Sequence, residues 1–319
     1  MDSHLKPPAR WLGRGQVSWK MCAMDARDLR VFEAVARLGG MGRAAEELHT
    51  VQSNVTARIR NLEQQLGVPL FERRARGVEP TPAGRRLLPY ALQIARLLEE
   101  ARRAALDDGT PMGPLTIGTL ETTAAFRLAP MLTNFVRAYP KVDFVLRPGT
   151  TCELMDQVLD RRLEGAFVCG PVAHPELESE AVFSEELVLF TALGVGAIED
   201  LAKQGDVRIV VLRQGCSYRQ RLEEVLARHG VPVPRVLEFG TLDAVFGCVA
   251  AGLGVTMLPR ALIGPVCREE QVAIHSLPQR DAVVETVFVR RRDGYVSSAL
   301  AAFLAAVRPA SGMTQMAAE

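Results

Sequence analysis

The apolar residues of this 319-residue chain change their period once, around Asp107-Asp108-Gly109-Thr110-Pro111, and that switch most limits what the chain can fold into. Before it, apolar side chains recur at helical spacing; after it, short apolar runs of strand length alternate with helical stretches. A helical head on an alternating body excludes a pure helix bundle and a pure β-sandwich. It predicts an α/β architecture with a separate, all-α N-terminal domain, and regular alternation predicts largely parallel sheets. The length exceeds the roughly 100–200 residues that one core needs, so two or more folded units are expected. With 48% apolar and 24% charged residues, the composition leaves no case for disorder or a coiled-coil rod.

Within the head, residues 1–23 mix Pro, Gly, Trp and Lys without period, and Met24 stands just before the first patterned segment. That stretch is expected to be a disordered extension or an over-long start. A first helix is predicted from about Asp28, as cap, to Leu38, with Leu29, Phe32, Val35 and Ala36 on one face and Gly39-Gly40 as the stop. A second, Met41 to Leu48, sets Met41, Ala44, Ala45 and Leu48 on one side, where the small alanines let a neighbour approach. In a third, Val55, Ile59, Leu62 and Leu66 fall within roughly 60° of one another at about 100° per residue and face a core. Ser53, Ala57, Arg60 and Gln64 point the other way, flanked by Asn54 and Thr56, a short polar face suited to base edges and phosphates.

Gly67 ends that helix, and GVPLFERRARGVEPT reads as a hairpin with an arginine-rich tip. Thr81-Pro82 then caps a long helix to about Asp107, with Leu87, Ala91, Ile94, Leu98, Ala101 and Ala105 as one stripe and Pro89 bending its first turns. Such a stripe needs a partner, and a second copy is the economical one. From Thr50 to Arg86 seven arginines face three glutamates, a local +4 in a chain of formal net charge +1, which leaves the remainder at −3. That asymmetry is what a nucleic-acid footprint on an otherwise acidic protein gives, although a solvated arginine-rich loop looks the same.

In the body, strands are predicted at Leu115–Thr119, Val142–Leu146, Gly165–Cys169, Leu187–Thr191, Arg208–Leu212, Val236–Phe239 and Val283–Val289. Helices are predicted near Arg127–Ala138, Cys152–Arg162, Tyr218–His229 and Leu242–Gly252. No stretch approaches the ~20 uncharged apolar residues of a membrane span, and no apolar signal core precedes the head, so a cytoplasmic protein is expected. Six cysteines without CxxC spacing read as reduced thiols rather than a zinc site or disulfide framework, and no metal or cofactor is implied.

The run DLRVFEAVARLGGMGRAAEELHTVQSNVTARIRNLEQQLGVPLFERRARGVEPTPAG carries more than a periodicity. Its AAEEL, RIRNLEQQLG, PLFER and TPAG pieces fall in the order and spacing of one family: from Met24 to about Val307 the chain resembles the LysR-type transcriptional regulators. The resemblance implies a sequence-specific DNA-binding regulator with a winged helix-turn-helix. Met41 to Arg60 would be the helix-turn-helix proper, with the recognition helix from Gln52 onward. The chain departs from the commonest family pattern at Val51, Ser53 and Ala57, where serine, proline and arginine are usual. Val51 cannot cap a helix, so that role falls to Thr50 or His49. The implied DNA contacts are Arg43, Gln52, Ser53, Asn54, Thr56, Arg58 and Arg60, with Arg73, Arg74 and Arg76 of the wing reaching phosphates or the minor groove; a solvated helix face is the alternative for each.

The same resemblance implies a two-lobed, periplasmic-binding-protein-like α/β effector domain, with strands crossing between lobes near Phe190 and Ala282. The expected division is 24–82 for DNA binding, 83–111 for a linker and dimerisation helix, 112–310 for the effector domain (lobe I 115–189 and 283–308, lobe II 190–282) and 311–319 for a disordered tail. A pocket is expected where strand ends meet helix starts, at Thr119, Thr122 and Thr123, at Gly149, Thr150 and Thr151, at Cys169, at Gln214, Cys216 and Ser217, and at Thr241. Ser217 with Gln220 also fits a capping box. A small-molecule effector with a carboxylate is the expectation, although Glu121 at the same mouth would repel it or pair with a ligand amine. The implied partners are an interrupted inverted repeat in promoter DNA, further copies in a dimer or dimer of dimers, and RNA polymerase. Three rivals stand beside this reading: an enzyme, which five isolated histidines and the absence of HExxH, nucleophile-elbow or P-loop signatures disfavour; a thiol sensor at Cys216, whose helix-start position would lower its pKa; and a secreted solute-binding protein, disfavoured by the basic head.

Overall fold

A computed structural model describes residues 24–74, 77–204, 207–212, 217–231 and 235–308, apart from the side chains of Arg73, Gln204, Ser217 and Glu269. The extension at 1–23, the tail at 311–319, Arg76, Gln214, Cys216 and the side chains of Arg73 and Ser217 therefore lie outside the described residues. The chain divides into two compact units between Ala95 and Arg96. Among the described residues no helix is long and apolar enough to cross a membrane.

In the first unit α1 (Ala26–Leu38) begins before its predicted start. Its cap is Asp25, whose carboxylate accepts from the Arg27 amide at 2.8 Å, and not Asp28. Asp28 lies on the face of α1 that meets the third helix, where it is buried and accepts from Arg58 Nη1 at 2.7 Å and Asn61 Nδ2 at 3.4 Å. Gly39, at φ 67°, adopts the left-handed turn that closes α1. Then follow α2 (Met41–Glu47) and α3 (Gln52–Leu66). The apolar faces meet in a core of Phe32, Val35, Ala44, Val55, Ile59, Leu62 and Leu70, where each large side chain contributes about 1.5–3 kcal/mol by burial.

The cap position of α3 is Val51, with no side-chain cap bond. Thr50 does not supply one: its hydroxyl accepts from Asn54 Nδ2 at 2.9 Å instead of from the helix amides. The hairpin β1 (Phe71–Arg74) and β2 (Gly77–Pro80) pairs antiparallel, and Glu63 ties its root by accepting from the Leu70 amide at 2.7 Å. Thr81 starts α4 (Pro82–Leu106): its hydroxyl donates to Pro69 O and accepts from the Gly84 amide. Pro89 sits inside α4 without ending it. The predicted stripe divides. Leu87, Ala91 and Ile94 pack into the first core, whereas Leu98, Ala101 and Ala105 are exposed.

The second unit opens with the last turns of α4 and continues through β3 (Gly113–Thr119), α5 (Glu121–Thr123), a π-turn (Ala124–Leu128), α6 (Ala129–Ala138), β4 (Val142–Pro148), α7 (Thr151–Leu159) and β5 (Gly165–Cys169). The chain goes on with β6 (Leu177–Thr191), α8 (Ile198–Gln204), β7 (Arg208–Leu212), α9 (Ser217–Arg228), β8 (Arg235–Phe239) and α10 (Leu242–Ala250). It closes with β9 (Thr256–Pro259), β10 (Ala273–Ser276), α11 (Gln279–Ala282), β11 (Val283–Arg291) and α12 (Ser298–Val307). The architecture is α/β, as predicted, but the sheets are mixed rather than largely parallel. β3 pairs parallel with β4 and β5, and β7 with β8, while β11 runs antiparallel to β5 and β6, and β6 antiparallel to β9 and β10. The reason lies in β6 and β11, which run in opposite directions between two lobes.

β6 changes partners within one strand. Up to Glu186 it pairs with β11; from Leu187 it pairs with β9 and β10. The change falls at Glu186–Leu187, close to the Phe190 near which it was expected. One lobe packs Leu115, Ile117, Phe135, Phe167, Phe288 and Phe303 on one side of its sheet and Leu154, Val168 and Val289 on the other; the second lobe is built on Phe190, Ile209, Leu222, Val245 and Met257. The end of α4 is pinned to the first lobe: Arg161 meets Glu100 and Arg103 meets Glu164, each at 2.5 Å, and Asp107 accepts from the Ser298 hydroxyl, the Ser298 amide and the Tyr295 hydroxyl.

Candidate nucleic-acid interface and ligand cavity

On α3 the helical repeat sorts the side chains into two sets. Val55, Ile59 and Leu62 are fully buried; Gln52, Ser53, Asn54, Ala57, Arg60 and Gln64 are exposed. Thr56 is half-buried, with its hydroxyl donating to Gln52 O at 2.9 Å. Arg58 is committed to Asp28 by the 2.7 Å ion pair, so it braces α3 against α1 as much as it offers charge outward. Arg43 is exposed on α2, and Arg74 is exposed in the hairpin between Glu72 and Glu79, at 3.1 and 3.4 Å. A groove of about 410 Å³ runs beside α3, lined by His49, Thr50, Asn54 and Arg58 together with Arg27 and Arg30 of α1. Sequence reasoning missed those two arginines, although their spacing on the polar face of α1 was there to read.

The second unit holds a cavity of about 310 Å³ between its lobes. Its walls come from the carboxyl ends of five strands: Leu120, Glu121, Thr122 and Ala124 follow β3; Pro148, Gly149, Thr150 and Glu153 follow β4; Cys169 ends β5; Leu212 ends β7 and leads to Tyr218; Gly240 follows β8. Ligands of open α/β sheets sit outside such strand ends, because amides at helix starts converge there. α7 begins at the cavity with a complete capping box. The Thr150 hydroxyl accepts from the Glu153 amide, and the Glu153 carboxylate accepts from the Thr150 amide at 3.0 Å. Glu121 and Glu153 are the charged side chains on the wall among the described residues.

Of the residues predicted for the pocket, Thr122, Gly149, Thr150 and Cys169 line this cavity, as does Glu121, expected at its mouth. Thr119 and Thr123 are buried away from it, the Thr119 hydroxyl donating to Leu120 O at 3.0 Å. The Thr151 hydroxyl accepts from the Cys169 amide at 3.3 Å, and Thr151 lines a neighbouring groove with Gln220 and Arg221. Thr241 caps α10 by accepting from the Ala244 amide, leaving Gly240 as the lining residue. Leu120, Glu153, Leu212 and Tyr218 were not predicted. Each lies within a few residues of a strand end that was.

Below the cavity, the π-turn leads from Ala124 to Arg127, whose guanidinium bonds Glu185 of β6 at 3.0 and 3.1 Å and lies over the rings of Phe126 and Phe183. Glu185 stands beside the residue at which β6 changes partners. Burial pushes its carboxyl above the usual range, and Arg127 offsets part of that shift. Phe126 packs against the core of the second lobe. On α4, Tyr90, Leu97, Leu98 and Leu106 are exposed, between 48 and 67%.

Known proteins share both parts. Residues 26–85 match the family model of the bacterial regulatory helix-turn-helix protein, lysR family, and residues 108–312 match the LysR substrate binding domain. The HTH-type transcriptional regulator YofA of Bacillus velezensis is 42% identical over 276 residues, covering 86% of this chain and 95% of that protein. GltR of Bacillus subtilis is 40% identical over 288 residues, covering 89% and 96%. Among solved structures, full-length CbnR complexed with its target DNA is 25% identical, covers 89% of this chain and 99% of its own, and superposes with a TM-score of 0.62. A full-length OxyR variant from Pseudomonas aeruginosa, at 20% identity, 90% and 96% coverage and a TM-score of 0.66, shares the fold. A winged helix-turn-helix head, a two-lobed body with its cavity at the strand ends, and these matches over both parts lead to one conclusion: the chain belongs to the LysR family of helix-turn-helix transcriptional regulators.

Proposed function

We propose that this regulator reads an interrupted inverted repeat in promoter DNA as a dimer or dimer of dimers, and that a small effector held between the lobes governs its output through RNA polymerase in the cytoplasm. One observation carries the regulatory half: the 310 Å³ cavity takes its walls from both lobes, so a ligand there touches two bodies joined by crossing strands. The division of labour is 24–82 for DNA, 83–111 for linkage and dimerisation, and 112–310 for the effector.

Gln52, Ser53, Asn54 and Thr56 enter the major groove at the start of α3, with Arg43, Arg58, Arg60 and the wing arginines Arg73, Arg74 and Arg76 on or near phosphates. The exposed apolar residues of α4 supply the seam between copies. Thr122, Thr150 and Cys169, with Tyr218 from the second lobe, hold the effector, and Thr119, Thr123, Thr151 and Thr241 support the strand ends around it; Gln214, Cys216 and Ser217 remain candidate effector contacts outside the described side chains. The carboxylates of Glu121 and Glu153 suit a ligand that brings hydrogen-bond donors, an amine or hydroxyls, more than one that brings a bare carboxylate.

Thermal melts of the full-length protein against a panel of small metabolites test the reading, since a ligand of the native state alone must raise the melting temperature. A hit should change binding to the promoter fragment and be lost in Tyr218→Ala. A hit that survives Tyr218→Ala with unchanged affinity would move the effector site elsewhere.

A further inference from the structure

Arg27 and Arg30 stand one turn apart on α1, both exposed. Among the described residues neither guanidinium has a hydrogen-bond or ion-pair partner, although Arg30 adds a weak pull on Glu47, whereas Arg37, Arg58 and Arg74 are tied to Glu33 and Glu47, to Asp28, and to Glu72 and Glu79. They open onto the groove beside the recognition helix that also holds His49, Thr50 and Asn54. Among the described residues that line the groove, Glu47 is the acidic one, and Arg37 holds both its oxygens, so the groove keeps a surplus of positive charge.

The position of the pair matters as much as its charge. The wing root is fixed at the other end of α1, where the Val78 amide donates to Gly39 O at 3.1 Å. At 1.5 Å of rise per residue, Arg27 and Arg30 lie roughly 14–18 Å along α1 from that point. A B-DNA major groove is about 12 Å wide. With the start of α3 in the groove, the wing therefore reaches one bordering backbone and the N-terminal end of α1 stands beside the other.

We propose that Arg27 and Arg30 form a second phosphate clamp, gripping the sugar-phosphate strand that borders the recognition helix on the side away from the wing. The clamp rests on the DNA-binding reading above. It positions the head on the duplex and carries no base preference of its own.

The test uses the full-length protein, its own promoter fragment and a scrambled duplex of equal length, titrated over a series of KCl concentrations. Each lost phosphate contact lowers the slope of log affinity against log salt by about 0.9, so Arg27→Ala with Arg30→Ala should lower it by about 1.8. Both duplexes should lose affinity by the same factor, with the melting temperature unchanged. The Arg→Gln pair, which keeps the aliphatic stems, should repeat the slope change, and the Arg→Lys pair should restore most of it. An unchanged slope in variants of a protein that binds DNA overturns the clamp alone, as does loss of transcription with unaltered DNA affinity, which would assign the pair to a protein partner. A wild type that binds neither duplex overturns the DNA-binding reading itself.

Discussion

Arg127→Met isolates the energetics of the lobe crossing. The Glu185 side chain is 2% exposed, and among the described residues Arg127, itself 35% exposed, supplies its counter-charge. Breaking a buried pair costs about 3–5 kcal/mol because the remaining charge is stranded, and the partial exposure of Arg127 places the expectation at about 3 kcal/mol. For a folding unit of this size that is a drop of roughly 6–12 °C in melting temperature. Adding Glu185→Leu should bring the protein back to within about 1 kcal/mol of wild type, since an apolar replacement of both partners leaves no stranded charge. The pH dependence has a definite sign. The Glu185 carboxyl is raised in the folded state, so the native form holds its proton more tightly than the unfolded chain, and stability declines as pH rises through and above the usual carboxylate range. Losing Arg127 raises that carboxyl further. The Arg127→Met penalty should thus be largest at neutral pH and shrink in acid. Calorimetry of the two single variants and the double variant, at neutral pH and at pH 5, reads all of this. Additive penalties, or a double variant less stable than Arg127→Met, would refute the reasoning.

Two further perturbations test the scaffold. Gly84→Ala should destabilise the first unit by about 1–3 kcal/mol through overpacking, because the new methyl would sit 2.3 Å from Leu70 O, a backbone atom that cannot step aside; an unchanged thermal melt would show that the hairpin root yields freely. Asp107 is held well below the usual carboxylate range by the Ser298 hydroxyl and amide, the Gly109 amide and the Tyr295 hydroxyl, so what it contributes is present at neutral pH and lost as pH falls through its folded value. Asp107→Asn should remove that acid dependence and speed amide exchange in the first turn of α12; unchanged protection there would show the contact to be idle.

Residues whose period is long were the legible ones. Val55, Ile59 and Leu62 keep one phase through α3, and the core and outward faces followed directly from them. β9 and β10, four residues each, are too short to show a period, and all four residues of β9 are buried, so no alternation exists to read. Direction within a sheet was equally hidden: nothing local in VETVFV distinguishes a strand running against its neighbours. The ends of β3 and β5 were read correctly, β4 runs two residues past its predicted end to Pro148, and the cavity lies at all three. Which threonine there faces inward depends on the rotation of each strand end. Thr122 and Thr150 face the cavity while Thr119 and Thr123 turn away, a distinction set by the π-turn and the capping box rather than by residue type. Asp28 was misread because the helix begins earlier, at Ala26, where Asp25 holds the extended cap position; inside the first turn, Asp28 instead meets Arg58 on the facing helix.

β6 leaves one mark on whatever motion the protein makes. Because Glu186 and Leu187 are covalent neighbours sworn to different ladders, the lobes cannot swing apart like plates on a loose strap. A turn of one lobe against the other would therefore wring that fifteen-residue ribbon and strain both ladders at once.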